Sequence, residues 1–200
     1  MENGFVDLPD PPTLIKQNKV HRTVNEWSKY ANITFHFQQK DTQQESTPHI
    51  RIAFDPQGGS WSFVGMDNMD IDPSKPTMNL GWLDGGSDTI TDNERGVILH
   101  EFGHAIGLLH EHQSPLRSDK ITLKEDGSCR TSSLSFFLIS QSFFEAVIEF
   151  YTTGQGWTEQ EVKDQIIRVY NKSEISNFSE VDLTSIMMFV PTIIILDFYF

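Results

Sequence analysis

The sequence predicts an α+β fold built as one domain, and three observations point to it. Short stretches of alternating apolar and polar residues, bounded by turn residues, recur between Ile33 and Trp82. Apolar residues at helical spacing precede them, from Gln17 to Tyr30, and follow them, from Thr91. After Gly107 the pattern becomes irregular and helical. Runs of strands and helices kept apart in this way read as α+β.

The elements follow in order. Residues 1–13 are rich in proline and polar side chains, and residues 1–17 read as a loose leader without a convincing strand. From Gln17 to Tyr30, Val20, Val24 and Trp27, followed by Ala31, recur at three and four and predict the first helix. Ile33, Phe35 and Phe37 then alternate with Thr34, His36 and Gln38, which predicts a half-buried strand and puts His36 on its solvent face. His49 opens a second strand, in which Ile50, Ile52 and Phe54 share one side. Gly58-Gly59 marks a turn, and Trp61 to Val64 reads as a third strand. Asp67 to Asp72 is acidic but lacks the spacing of a calcium-binding helix-loop-helix, so it reads as a solvated loop. Thr77 to Trp82, TMNLGW, is a short strand, and Asp84 to Asp88 a glycine-rich loop.

The second helix opens on a capping box, Thr91 with Glu94 three residues later. Val97, Ile98, Phe102, Ala105 and Ile106 supply its apolar positions, and Gln113-Ser114-Pro115 breaks the pattern. Downstream, Phe144 to Tyr151 reads as helical. Thr158 with Glu161 opens a further helix, with Val162, Ile166 and Val169 on one face. The run DLTSIMMF occupies residues 182–189.

Composition excludes several classes of function. The net charge is −13, from 28 acidic and 15 basic side chains, which argues against a nucleic-acid partner. The single cysteine, Cys129, excludes a disulfide framework within the chain. No basic, apolar signal peptide opens the sequence. No stretch has the roughly eighteen apolar residues of a membrane span. The apolar tail from Ile193 to Phe200 is short and interrupted by Asp197.

The most informative stretch is HEFGHAIGLLHEH, residues 100–112. His100 and His104 are four apart, so they share one helix face, one turn above the other. Two imidazoles so placed can grip one zinc ion, with Glu101 beside them where a general base would sit. Gly107 can take the left-handed conformation that ends a helix, and His110 can then swing back as a third ligand. Three protein nitrogens and one open position describe a catalytic zinc site. A closed structural module would need a fourth ligand, for which His112 is the nearest candidate, but His112 reads as a surface residue beside the site.

The spelling HExxHxxGxxH resembles the metzincin clan of zinc endopeptidases. SIMM, residues 185–188, looks like the clan's Met-turn, with Met187 at the methionine that floors the histidines. HEHQSP and SIM look closest to astacin-like enzymes. The resemblance runs from about Asn18 to Phe189. It implies a twisted, mostly parallel sheet above an irregular helical lower part, with a cleft between. It implies Zn²⁺ held by His100, His104 and His110, Glu101 as the catalytic base, and a peptide or protein substrate. By the same resemblance, Met78, Asn79, Leu80 and Gly81 form the edge strand facing the substrate backbone. Glu111 matches a residue that ties down the processed N-terminus in astacins. The family is largely secreted, which implies an extracellular site of action.

The chain departs from the family's pattern at four places. The tyrosine two residues after the Met-turn methionine is here Phe189, which has no oxygen to offer an oxyanion. The strand expected before the first helix is not evident in residues 1–17. Residues 127–142 interrupt a familiar passage with foreign composition, and the chain ends in VPTIIILDFYF. The domain reading is therefore a leader at 1–17, a catalytic domain at 18–189 with an insertion at 127–142, and an atypical tail at 190–200. Two accounts stand: a gene model with altered ends and translated intron, or a divergent member with an extra surface loop. The function implied is a zinc-dependent endopeptidase, and the alternative is a weakly active or inactive metal-binding homologue.

Overall fold

The computed structural model describes residues 2–5, 11–38, 47–116, 122–123, 129–130, 148–149, 151–153, 156–182 and 184–188. The chain divides into two compact units, Met1–Leu109 and His110–Phe200.

The first unit holds a five-stranded sheet. Its strands are β1 (Glu2–Phe5), β2 (His36–Gln38), β3 (Ile50–Ala53), β4 (Ser60–Ser62) and β5 (Met78–Leu80), in the order β2-β1-β3-β5-β4. The pairings β1–β2, β1–β3 and β3–β5 are parallel and β4–β5 is antiparallel, so the sheet is mostly parallel, as expected. Two helices accompany it, α1 (Pro11–Val24) and α2 (Asp92–Ala105). Val20 and Val24 of α1, Ile50 and Ile52 of β3, Met78 and Leu80 of β5, and Ile98 and Phe102 of α2 are fully buried in one apolar cluster. Each such side chain contributes about 1.5–3 kcal/mol relative to exposure. The alternation around Phe35 is as expected. Phe35 is buried, Ile33 and Phe37 pack against the core, and His36 is exposed.

The reading of residues 1–17 as loose and strand-free is corrected. Glu2–Phe5 is an interior strand, paired with β2 on one side (Asn3 opposite Phe37) and β3 on the other (Asn3 opposite Ile50). ENGF contains Asn-Gly, a pair depleted in strands. Its extended form comes from two neighbouring backbones, not from its own propensity. Helix α1 likewise starts at Pro11, six residues before the apolar spacing becomes visible at Gln17. Proline suits a first helical turn, where its missing N–H would have no intrahelical partner.

In the second unit, β6 (Thr122–Leu123) and β7 (Cys129–Arg130) form an antiparallel pair. Cys129 and Arg130 are the only described part of the stretch 127–142. Residues 148–149 and 151–153 are helical, within and just beyond the stretch expected to be so. Thr158 and Glu161 form the expected capping box, opening the helix Glu159–Val162. That helix widens into a π-turn over Lys163–Ile167. Val162 and Ile166 are buried with Tyr151, but Val169 is exposed, correcting its placement on the same face. The wider turn and the helix end at Ile167 carry Val169 off that stripe. Phe189 and the tail 190–200 lie outside the described residues.

Candidate metal and active site

Helix α2 is fixed at both ends. At its start the Thr91 hydroxyl accepts from the Glu94 amide (3.2 Å), and Glu94 Oε2 accepts from the Thr91 amide (2.9 Å). Glu94 Oε1 also takes a bond from Lys19 Nζ (2.6 Å) and one from the Asp84 amide (2.9 Å). Burial pushes the Glu94 carboxyl up, but the donors from Lys19, Thr91 and Asp84 outweigh it and hold it at about 2.

At the other end Gly107 has φ of 102°. Its amide bonds to the His104 carbonyl (2.8 Å), and the Leu108 amide to the Gly103 carbonyl (2.9 Å). This crossed pair of bonds is a Schellman motif, which needs a left-handed residue where Gly107 stands. A Cβ added to Gly65, itself at φ 53°, would meet the Gly107 Cα at 3.2 Å. The segment after β4 therefore presses against the end of α2. Nothing in the spacing of the sequence signals this approach.

The turn brings the three histidines together. Their ligand-capable atoms all lie within 4.8 Å of one another, and no other such group of His, Cys, Asp or Glu occurs among the described residues. The rings of His100 and His104 are perpendicular, with centroids 4.8 Å apart. His104 Nδ1 lies 2.8 Å from the Leu108 carbonyl. A carbonyl only accepts, so Nδ1 carries the proton and Nε2 keeps its lone pair. Burial, then the neighbouring His100, lower the His104 imidazole to about 4, so it is neutral and able to ligate at physiological pH. Glu101 is buried, and burial pushes its carboxyl up to about 8.

His110 and the residues after it belong to the second unit. A turn forms at Ser185–Met188, where the Met188 amide bonds to the Ser185 carbonyl (3.0 Å). Met187 is buried, and its carbonyl accepts from the Glu111 amide (2.9 Å). Glu111 Oε1 takes the Asp182 amide at 3.1 Å. His112, read from the sequence as a surface residue, is 1% exposed, and its Nε2 lies 3.0 Å from the Gln165 carbonyl.

Met78, Asn79, Leu80 and Gly81 do not form an edge. They lie in and just after β5, between β3 and β4, and all four are buried. The Asn79 side chain ties down the β3–β4 turn. Its Nδ2 donates to the Asp55 and Gly59 carbonyls (2.9 and 2.6 Å), and its Oδ1 accepts from the Asp55 amide (2.9 Å). A Cβ at Gly81 would stand 2.3 Å from the Asp55 carbonyl oxygen. On this side of the sheet the edge strand is β4, because the chain reverses at Gly58-Gly59 and lays Ser60–Ser62 outside β5.

Known proteins resemble this chain in sequence and fold. The family model for Astacin, a family of peptidases, matches residues 10–154. An astacin-like metalloprotease toxin 2 from Loxosceles intermedia is 45% identical over 53 residues, which is 26% of this chain and 20% of the toxin. The match thus spans a fifth of that relative's length. Two solved structures of myroilysin cover 94% of this chain at 28% and 27% identity. Their TM-scores are 0.67 and 0.56, with 76% and 69% of those chains covered.

Proposed function

The chain belongs to the astacin family, and from that premise we propose that it is a zinc-dependent endopeptidase. The observation that carries the reading is the histidine cluster at the glycine-ended helix, with a buried carboxylate next to one ligand. The donor set fits zinc: three imidazoles within ligand reach of one another, one of them with its tautomer set by a backbone carbonyl.

His100, His104 and His110 hold the ion in this reading. When bound, it supplies a Lewis acid and lowers the pKa of water towards about 7. Glu101 then serves as the proton carrier. Burial raises its affinity for a proton, and the charge of the bound ion would favour the carboxylate form that accepts one. It takes a proton from the water attacking the peptide carbonyl and hands it to the departing amine.

The substrate lies along β4. The Gly81 amide bonds to the Gly59 carbonyl and the Phe63 amide to the Thr77 carbonyl, at 3.0 Å each. The antiparallel alternation therefore turns the backbone groups of Ser60 and Ser62 outward. An extended peptide pairs with such an edge. Gly65, three residues beyond β4, touches Gly107, so the edge leads towards the end of the metal-binding helix. Action outside the cell is part of the same reading and accords with the toxin relative. No helix among the described residues is long and apolar enough to cross a membrane.

Zinc analysis of the purified chain, with hydrolysis of an unstructured protein, tests this. The expected result is one zinc per chain, hydrolysis abolished by chelator, and zinc lost in His110→Ala. Full zinc occupancy in His110→Ala would overturn the three-histidine site. Zinc binding without any hydrolysis would favour the inactive homologue.

A further inference from the structure

The two side chains after Glu111 are buried in an unusual way for polar groups. His112 is 1% and Gln113 2% exposed. They sit in the short 3₁₀ turn Glu111–Gln113, for which His110 is the N-cap and whose Gln113 amide bonds back to the His110 carbonyl (3.0 Å). Both side chains reach the same place, about fifty residues downstream. His112 Nε2 lies 3.0 Å from the Gln165 carbonyl, and Gln113 Nε2 donates to the Asp164 carbonyl at 2.6 Å. The Gln113 carbonyl in turn accepts from the Tyr170 amide (3.0 Å).

These carbonyls need partners because of how the second unit's helix ends. The π-turn Lys163–Ile167 closes with the Arg168 amide on the Lys163 carbonyl, and the chain then leaves in extended conformation at Arg168. The next carbonyls, Asp164 and Gln165, are left in the last turn without intrahelical donors. A buried carbonyl without a donor is costly. His112 and Gln113 supply those donors, and in doing so they moor the turn that begins at His110.

We infer that His112 and Gln113 are positioning residues for the third metal ligand. They hold His110 through its own 3₁₀ turn by capping the end of the helix at 164–165. Neither touches substrate or metal in this scheme. The inference rests on the zinc reading above, and it makes the affinity of the site depend on a helix end that contributes no ligand.

Zinc affinity measured by chelator competition, with melting of the chelator-stripped protein, tests it. The variants are His112→Phe, which keeps volume but loses the donor, His112→Gln, which restores one, and Gln113→Leu. Partners that orient metal ligands are worth about ten- to a hundredfold in metal affinity. His112→Phe and Gln113→Leu are expected to weaken zinc binding by about tenfold or more, with His112→Gln closer to the parent. The stripped variants should melt closer to the stripped parent than the loaded forms melt to the loaded parent. Zinc affinity within twofold of the parent in both donorless variants would overturn the inference. So would a drop in melting temperature that is equal with and without zinc, since that marks a purely structural role. A parent chain that binds no zinc would instead overturn the reading beneath it.

Discussion

Lys19 Nζ and Glu94 Oε1 meet at 2.6 Å with the lysine side chain fully buried and the glutamate nearly so. The pair joins α1 to the first turn of the helix that carries His100 and His104. Removing one partner from a buried pair leaves a charge without compensation, which costs about 3–5 kcal/mol. Lys19→Met should destabilise by that order in urea melts. The double variant Lys19→Met/Glu94→Gln should cost less than the two single changes added together.

The same pair sets a pH dependence. The Glu94 carboxyl lies at about 2 in the fold, against an ordinary 4.5. Its folded value is depressed, so its contribution is complete above about 4.5 and is lost as pH falls towards 2. Urea midpoints measured from pH 6 to pH 2.5 should fall more steeply in the parent than in Glu94→Gln. Parallel curves would show that this carboxyl does not drive the acid limb.

Glu101→Gln should keep zinc and lose turnover. Glu101 adjoins His100 but is not in the histidine cluster, and removing a positioned base typically costs roughly a hundred- to ten-thousand-fold. Zinc content and single-turnover cleavage of a denatured protein would separate the two effects. A variant as fast as the parent would mean that the proton goes elsewhere.

Gly107→Ala should cost about 1–3 kcal/mol, the range for a side chain held at an unfavoured backbone angle. Because the motif it closes leads into His110, zinc affinity should fall with stability. Calorimetry with and without zinc reads both, and an unchanged zinc affinity would show that the turn can relax without moving the ligand.

The histidine cluster is legible in the sequence because its information is local. A four-residue interval puts His100 and His104 on one face, and one glycine ends the helix, with no distant contact required. The strand Glu2–Phe5 is not legible, because ENGF has neither alternation nor strand propensity and is held by β2 and β3. The reading of Met78–Gly81 as an edge strand fails for a similar reason. TMNLGW looks like any short strand, and only the reversal at Gly58-Gly59 decides which strand lies outermost. His112 reads as a surface residue because the carbonyl it caps belongs to a helix end some fifty residues away.

Phe189→Tyr should raise turnover if the family resemblance holds at that position. A phenyl ring cannot donate to an oxyanion, and one such donor is worth about 2.7–4 kcal/mol in a well-studied protease. The comparison requires zinc-loaded parent and variant with matching circular dichroism. No gain in kcat would remove the missing hydroxyl as the limiting factor.

The interior position of β1 bears on how this protein is truncated or trimmed. Deleting the first five residues would not shorten a tail. It would withdraw a strand from between β2 and β3 and bare the edge of Ile50–Ala53, whose residues are otherwise largely buried. A newly uncovered apolar edge is a template for pairing between molecules. Preparations nicked near the N-terminus should therefore show turbidity and thioflavin-positive material before they show a changed metal content.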